Sequence, residues 1–373
     1  MSVNELNLSL IKDKELIPIA EKVFEGERLS FDDGLKLFNS FDIHSIGLLA
    51  DFVCQKKNGN FAYFNVNVHI TPTNICVGTC KFCAFKKRKG DKGAYELSVD
   101  EIIRKIRKYM SENPSLTEVH IVGGLHPDWD FEDYLLIVKA VKEEFPNIHI
   151  KAFTAEEIVY MAKKSGLSVK DVLERLIEAG LGSLPGGGGE IFNPEVRNRI
   201  CPDKISGEEY LRVHKIAHGL GLKTNATMLF GHIESYEDRI QHLILLREAQ
   251  DETNGFQTFI PLAFHPLNTE IPGANYTTGL DELKTIAVSR LILDNFPHIK
   301  AYWIMLGEKV AQISLRFGAD DIDGTVVEED ITRAAGATAG QFISKGRLIR
   351  LIKEVGKVPV ERDTLYNVLK VYS

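Results

Sequence analysis

No apolar run in this 373-residue chain approaches the roughly 20 residues that a helix needs to cross a bilayer. The opening stretch, MSVNELNLSLIKDKELIPIA, mixes acids among its apolar positions and lacks the hydrophobic core of a secretory leader. A cytoplasmic protein that does not engage a membrane is therefore expected. Cysteine is scarce: five residues, three of them clustered, form no disulfide framework and fit a reducing compartment where thiolates hold metal. Neither sign of charge dominates. The net charge of −7, with both signs well mixed, argues against a whole-surface grip on nucleic acid. Low-complexity segments and separate linkers are missing too, while 44% hydrophobic residues suffice for a large buried core.

What is present has a period. Residues 1–62 carry apolar side chains at three- and four-residue spacing, with Ser30 preceding Asp33 as an approximate capping box, and read as helices. From FAYFNVNVHIT onward, β-branched strands alternate with helices at a repeat near 30 residues. The strands are expected at 64–71, 118–122, 148–153, 181–184, 224–230, 256–263, 300–305 and 319–323. Helices are expected to start at Ser98, Ser168 and Asp281. Eight such repeats predict an α/β fold, a (β/α)₈ barrel, over residues 63–325. Residues 326–373 are expected to be a helical extension closing it.

Directly after the first predicted strand stands PTNICVGTCKFCAFKKRKG, with Cys76, Cys80 and Cys83 in a C-x₃-C-x₂-C spacing. A buried helical stripe would place all three on one face, but Pro72, Asn74, Gly78 and Thr79 make a poor helix and six cations between Lys81 and Lys92 flank that face. A structural zinc site needs a fourth ligand, Cys54, Cys201 or a histidine, returning from far away. A [4Fe–4S] cluster normally takes four thiolates, and three leave one iron open. The loop also leaves its strand at the end of a barrel where chemistry sits.

Other predicted strand ends carry candidates. Gly123 and Gly124 in HIVGGLHPDW let backbone approach a ligand closely. Thr154 and Glu156 in KAFTAEE either meet hydroxyl groups or cap a helix. LPGGGGEIF, with Gly187 and Gly188 among four consecutive glycines and Glu190 and Arg197 close by, is no Walker loop, because no Gly-Lys-Ser/Thr follows. Such a run implies something bulky lying against it. His69, His126, His232 and His265 recur at matching places, with His232 and Glu234 in FGHIES and His265 in LAFHPLNT foremost. The basic run Lys86–Lys89 reads first as a solvated face, next as a docking point for an acidic electron donor, and last as a contact to nucleic acid.

The cysteine spacing, with Phe82 before the last cysteine, resembles the radical S-adenosylmethionine superfamily. The stretches VGGLHPDWDFEDY, LPGGGGEIFNPEVRNRICPDK, GHIESYEDRIQHL, IPLAFHPLNT and ERDTLYN resemble its aminofutalosine synthase family. That resemblance implies a [4Fe–4S] cluster on Cys76, Cys80 and Cys83 whose open iron binds S-adenosylmethionine. It places Phe82, Gly123, Gly124, Thr154, Glu156, Gly187, Gly188 and Glu190 around that cosubstrate, although Leu125 stands where the superfamily carries an acid. It implies addition of the 5′-deoxyadenosyl radical to 3-[(1-carboxyvinyl)oxy]benzoate in menaquinone biosynthesis, with a flavodoxin or ferredoxin as electron donor. Such a reaction needs a dry barrel mouth, for which Phe192, Phe264 and Trp303 are candidates. The two substrate carboxylates need donors, for which Arg197, His232 and His265, with Glu234 beside them, are candidates.

Overall fold

Among the described residues, a 3-10 turn (Lys14–Leu16) and three α-helices precede the first strand in this computed structural model, which describes residue 8 and residues 11–326 and 329–373. The three helices are α1 (Ile17–Glu25), α2 (Phe31–Asn39) and α3 (Ile43–Asn58). Ser30 and Asp33 form the full capping box of α2. This lead-in lies outside the barrel, α2 against α10 (Tyr236–Thr253) and α3 against α11 (Gly279–Ile292). Arg28 ties it down by bonding both Asp251 and Asp294.

Seven parallel strands follow one another in both sequence and space: β2 (Asn67–Ile70), β3 (Glu118–Ile121), β4 (His149–Ala152), β5 (Leu181–Leu184), β6 (Lys223–Phe230), β7 (Phe256–Ala263) and β8 (His298–Ile299). The circuit closes through β9 (Asp321–Gly324), which meets β8 at a Lys300–Asp321 bridge and pairs with β1 (Phe61–Asn65). Only Val66 separates β1 from β2, so one bent strand carries both seams. This is the expected (β/α)₈-type barrel. Helices α4 (Val99–Glu112), α5 (Phe131–Glu144), α6 (Ala155–Ser165), α7 (Val169–Glu178), α8 (Pro194–Ile200) and α9 (Gly207–Gly219) fill the connections up to β6. Capping boxes at Ser98–Glu101 and Ser168–Asp171 set the starts of α4 and α7 as expected. Helix α4 then buries Ile102, Ile106 and Tyr109 at helical spacing, each of the two isoleucines worth about 1.5–3 kcal/mol when fully buried.

Three expectations are corrected. Helix α11 starts at Gly279 behind an N-cap at Thr278 rather than at Asp281. The seventh strand was expected at 300–305, but it is 298–299, and Trp303 begins α12 (Trp303–Ser314). The C-terminal extension is not purely helical. After α13 (Asp330–Ala334) and α14 (Lys345–Glu354) it adds β10 (Val358–Arg362), parallel to β1, and β11 (Val368–Val371), antiparallel to β10. Its ERDTLYN stretch turns inward: Arg362 is buried, bonds Asp321 at 2.6 Å, and lies over Tyr366, which stacks on His298.

Candidate active site

A cavity of about 470 Å³ opens at the C-terminal end of the strands and runs down into the barrel. Its upper wall begins with the cysteine loop. Cys76, Cys80, Phe82 and Cys83 all line it, and the three thiols are free. The loop is fixed at several points: the Cys76 N–H donates to Lys87 O (2.9 Å), the Val77 N–H to Leu125 O (3.0 Å), and the Lys81 N–H to Ile200 O (2.7 Å). The Gly78 N–H donates to Cys76 Sγ at 3.3 Å.

The donor set distinguishes the metals considered. Among the described residues, no three His, Cys, Asp or Glu side chains converge as a single ion requires. Cys54 lies elsewhere, its thiol directed at Ala319 O, and Cys201 is buried outside the cavity wall. Three thiols on one loop, each facing the same cavity, fit a multi-iron cluster whose metals take one thiolate each. Burial pushes the Cys80 thiol up to about 12, with Lys204 opposing, so a thiolate there requires nearby positive charge of the kind a cluster supplies.

The turn after β3 is shaped by this loop. A Cβ on Gly124 would stand 2.3 Å from Ile75 O and 3.0 Å from the Cys76 Cβ, so only glycine lets the two backbones meet. Both Gly123 and Gly124 line the cavity. The Gly123 N–H donates to Glu157, a residue the sequence reading passed over. Glu157 also accepts from the N–H and hydroxyl of Thr154, completing the capping box of α6, and burial pushes its carboxyl up to about 7. Thr154 thus caps a helix and faces the cavity at once. Glu156 beside it lines the cavity and accepts from the Ile205 N–H at 3.0 Å.

The glycine run is packed by protein rather than left open for a ligand alone. A Cβ on Gly186 would strike Thr227, one on Gly187 Thr154, and one on Gly189 the Thr227 carbonyl, each at 2.7 Å. Gly187 and Gly188 nonetheless present backbone to the cavity. Glu190 follows with φ of 43°, a left-handed conformation rare outside glycine. It faces the cavity and pairs with Lys204 at 2.8 Å; although burial opposes it, that ammonium holds the carboxyl below its ordinary range.

Three expected substrate contacts lie elsewhere. Arg197 is buried and donates to four backbone carbonyls, Ile205 and Gly189 at 2.7 Å, Gly188 at 2.9 Å and Ile191 at 3.1 Å. It braces the glycine run and does not line the cavity. His232 donates from Nε2 to Leu229 O at 3.1 Å and accepts at Nδ1 from the Ile233 N–H at 2.7 Å, its ring fully buried beside Glu234, which holds Arg239 and the Gly231 and His232 N–H groups. Neither reaches the cavity wall. His265 does reach it. Its Nε2 lies 3.0 Å from Met305 O and so carries the proton, while buried Nδ1 has no partner. Burial lowers its pKa, and the neutral ring offers Nδ1 as an acceptor, suited to a hydroxyl or N–H. Of the aromatics expected at the mouth, Phe264 lines the cavity. Phe192 stacks on His242, and Trp303 is fully buried with its indole N–H on Gly324 O.

The lower cavity was largely missed. Asn67, His69, Glu118, His120, Lys151, Lys300 and Asp323 line it. Lys151 bonds Glu118 at 2.8 Å, Lys300 bonds Asp323, and the His69 and His120 rings meet edge to face at 4.5 Å. Burial lowers both histidines, His69 to about 4, so both are neutral near pH 7. Opposite them Leu229, Ile260, Leu262 and Phe264 make an apolar wall.

Comparison with known proteins agrees with this geometry. Residues 70–246 match the model of the radical SAM superfamily, and residues 253–373 match that of the CofH/MqnC C-terminal region. An aminodeoxyfutalosine synthase from Thermus thermophilus is 48% identical over 97% of this chain and 98% of its own. This chain is a radical SAM enzyme. A 5-amino-6-(D-ribitylamino)uracil–L-tyrosine 4-hydroxyphenyl transferase from Methanocaldococcus jannaschii is 41% identical over 93% of this chain and 99% of its own. The crystal structure of methylornithine synthase (PylB) shares the fold, with a TM-score of 0.72 at 20% identity over 91% of this chain and 97% of that one. Among the described residues, no helix is long and apolar enough to cross a membrane.

Proposed function

We infer that the chain is an aminofutalosine synthase: it joins the 5′-deoxyadenosyl group of S-adenosylmethionine to 3-[(1-carboxyvinyl)oxy]benzoate. The aryl group migrates, carbon dioxide or bicarbonate leaves, and 6-amino-6-deoxyfutalosine and methionine result. Cys76, Cys80 and Cys83 would hold the cluster. When bound, it supplies the electron that splits S-adenosylmethionine, delivered to it by a flavodoxin or ferredoxin.

The observation that carries this reading is one continuous cavity joining the three thiols above to a polar floor below, past an apolar wall. The chain's own residues do the positioning. Gly123, Gly124, Gly187 and Gly188 would offer backbone to the cosubstrate, Thr154 and Glu156 would meet its ribose hydroxyls, and Glu190 with Lys204 would offer a charged pair for its amino-acid end. Leu229, Leu262 and Phe264 exclude water from a space where a primary alkyl radical would otherwise be quenched. Holding the alkene in contact converts the addition into an effectively intramolecular step. His265 serves as an acceptor for a hydroxyl or N–H.

A second reading follows from the 41% identity to the tyrosine-using transferase; a dehypoxanthine futalosine cyclase or deazaflavin (F₀) synthase-like enzyme belongs to the same group of readings. Anaerobic incubation of cluster-loaded protein with reductant, S-adenosylmethionine and the enolpyruvyl benzoate, followed by mass analysis, separates them. The synthase reading expects an adduct that retains the adenosyl carbons. Free 5′-deoxyadenosine as the main nucleoside, with no adduct, would defeat it.

A further inference from the structure

The synthase reading leaves unassigned what recognises the ring-borne carboxylate of the substrate, since Arg197 and His232 are engaged elsewhere. The polar floor has the chemistry for it. Asn67 and Glu118 stand in register on β2 and β3, three residues below the strand ends, about 10 Å at the rise of a β-strand. His69, His120 and Lys151 form the next row up, and Lys300 and Asp323 face it from the closing seam.

Each acid of this floor is already engaged. Glu118 accepts from Lys151 and from Asn65 Nδ2 at 3.2 Å, and Asp323 accepts from Lys300. The donors are not exhausted. An ammonium has three N–H groups, and the Lys151 and Lys300 side chains, each 4% exposed, spend one on these pairs. His120 Nε2 is buried in the cavity wall with no partner, and the tautomer that protonates it adds a further donor. A buried polar atom without a partner is costly and marks where a ligand atom belongs. Spare donors beside satisfied acids favour an anion over a zwitterion. The apolar wall of Leu229, Ile260 and Leu262 across the cavity is placed for a ring.

We propose that Lys151, Lys300 and His120 form the receptor for the aryl carboxylate, so that the benzoate points down into the barrel and the enol ether up toward the cysteine loop. This rests on the synthase reading, and its test is therefore made on binding rather than turnover. The probes are 3-methoxybenzoate and 3-methoxybenzamide, which lack the alkene, titrated calorimetrically into cluster-loaded protein with S-adenosylmethionine and no reductant. Wild type binds the benzoate at least tenfold more tightly than the amide. His120→Phe, which keeps a ring against His69 and touches no ion pair, and Lys300→Met/Asp323→Asn, which removes a pair together, each erase most of that preference while amide binding changes little. Equal binding of the two probes by wild type, an undiminished preference in both variants, or tighter binding of L-tyrosine than of the benzoate would overturn the assignment. Floor-dependent benzoate binding without any adenosyl adduct would uphold the floor and sink the reaction. An adduct formed while both variants keep the benzoate preference would do the reverse.

Discussion

Replacing Arg197 tests whether its guanidinium holds the chain rather than the substrate. Its guanidinium bonds the carbonyls of Gly188, Gly189, Ile191 and Ile205, and the residue is 4% exposed. Replacing it with alanine strips partners from four carbonyls. An orphaned buried group costs about 1–3 kcal/mol, so four set a range of about 4–12 kcal/mol. Loop relaxation and entering water pull the loss to the low end, about 4 kcal/mol. Arg197→Lys keeps the charge but not the fork, and an ammonium cannot span contacts on both sides of the loop, so about half the loss is expected to remain. Urea unfolding of wild type and both variants reads this directly, with S-adenosylmethionine affinity measured alongside because Gly188, held by the same guanidinium, lines the cavity. The expected order of stability is wild type, lysine, alanine, and cosubstrate affinity follows it. An alanine variant as stable as wild type, impaired only in KM for the enolpyruvyl benzoate, would refute the reasoning and return Arg197 to the substrate.

Gly124→Ala would drive a Cβ against Ile75 O; iron loading should fall severalfold with helix content unchanged by circular dichroism, and full loading would show that the two backbones need not meet. Glu157 gives a pH test. Burial raises its carboxyl from 4.5 to about 7 in the folded state, so the folded state binds that proton more tightly. Its contribution is full below about pH 4.5 and is withdrawn as pH climbs to about 7, a change of about 3 kcal/mol. Glu329 is raised likewise and the buried histidines act with opposite sign, so the readout is the difference between wild type and Glu157→Gln in unfolding free energy across pH 4.5–7. A difference that stays constant over that window would contradict the burial argument.

Much of the fold was legible because local signals agreed with one another. Ser30–Asp33 reads as an approximate capping box and is a full one, and the helices expected to start at Ser98 and Ser168 open there on capping boxes with Glu101 and Asp171. The seventh strand was misplaced because KAYWIM is β-branched and aromatic only in part, and Trp303 is buried by starting a helix rather than by pairing. The strands β10 and β11 are short and lie at the edge of a barrel strand, where pairing comes from tertiary context. The floor had a signal that went unused. Asn67 and His69, Glu118 and His120, and Asn225 and Thr227 are polar at alternate positions of strands whose outer faces helices cover, so those side chains have only the barrel interior to enter. Arg197 and His232 carried no signal of their true partners, which are backbone groups brought to them by the folding of their own loops.

Mössbauer spectroscopy of anaerobically reconstituted, ⁵⁷Fe-labelled protein, with and without S-adenosylmethionine, tests the central claim most directly. Three thiolates from one loop predict a [4Fe–4S] cluster in which a single iron changes its parameters when the cosubstrate is added, and Cys80→Ala should lose the signal. A spectrum with no such cluster, or with all four irons unmoved by S-adenosylmethionine, would contradict it.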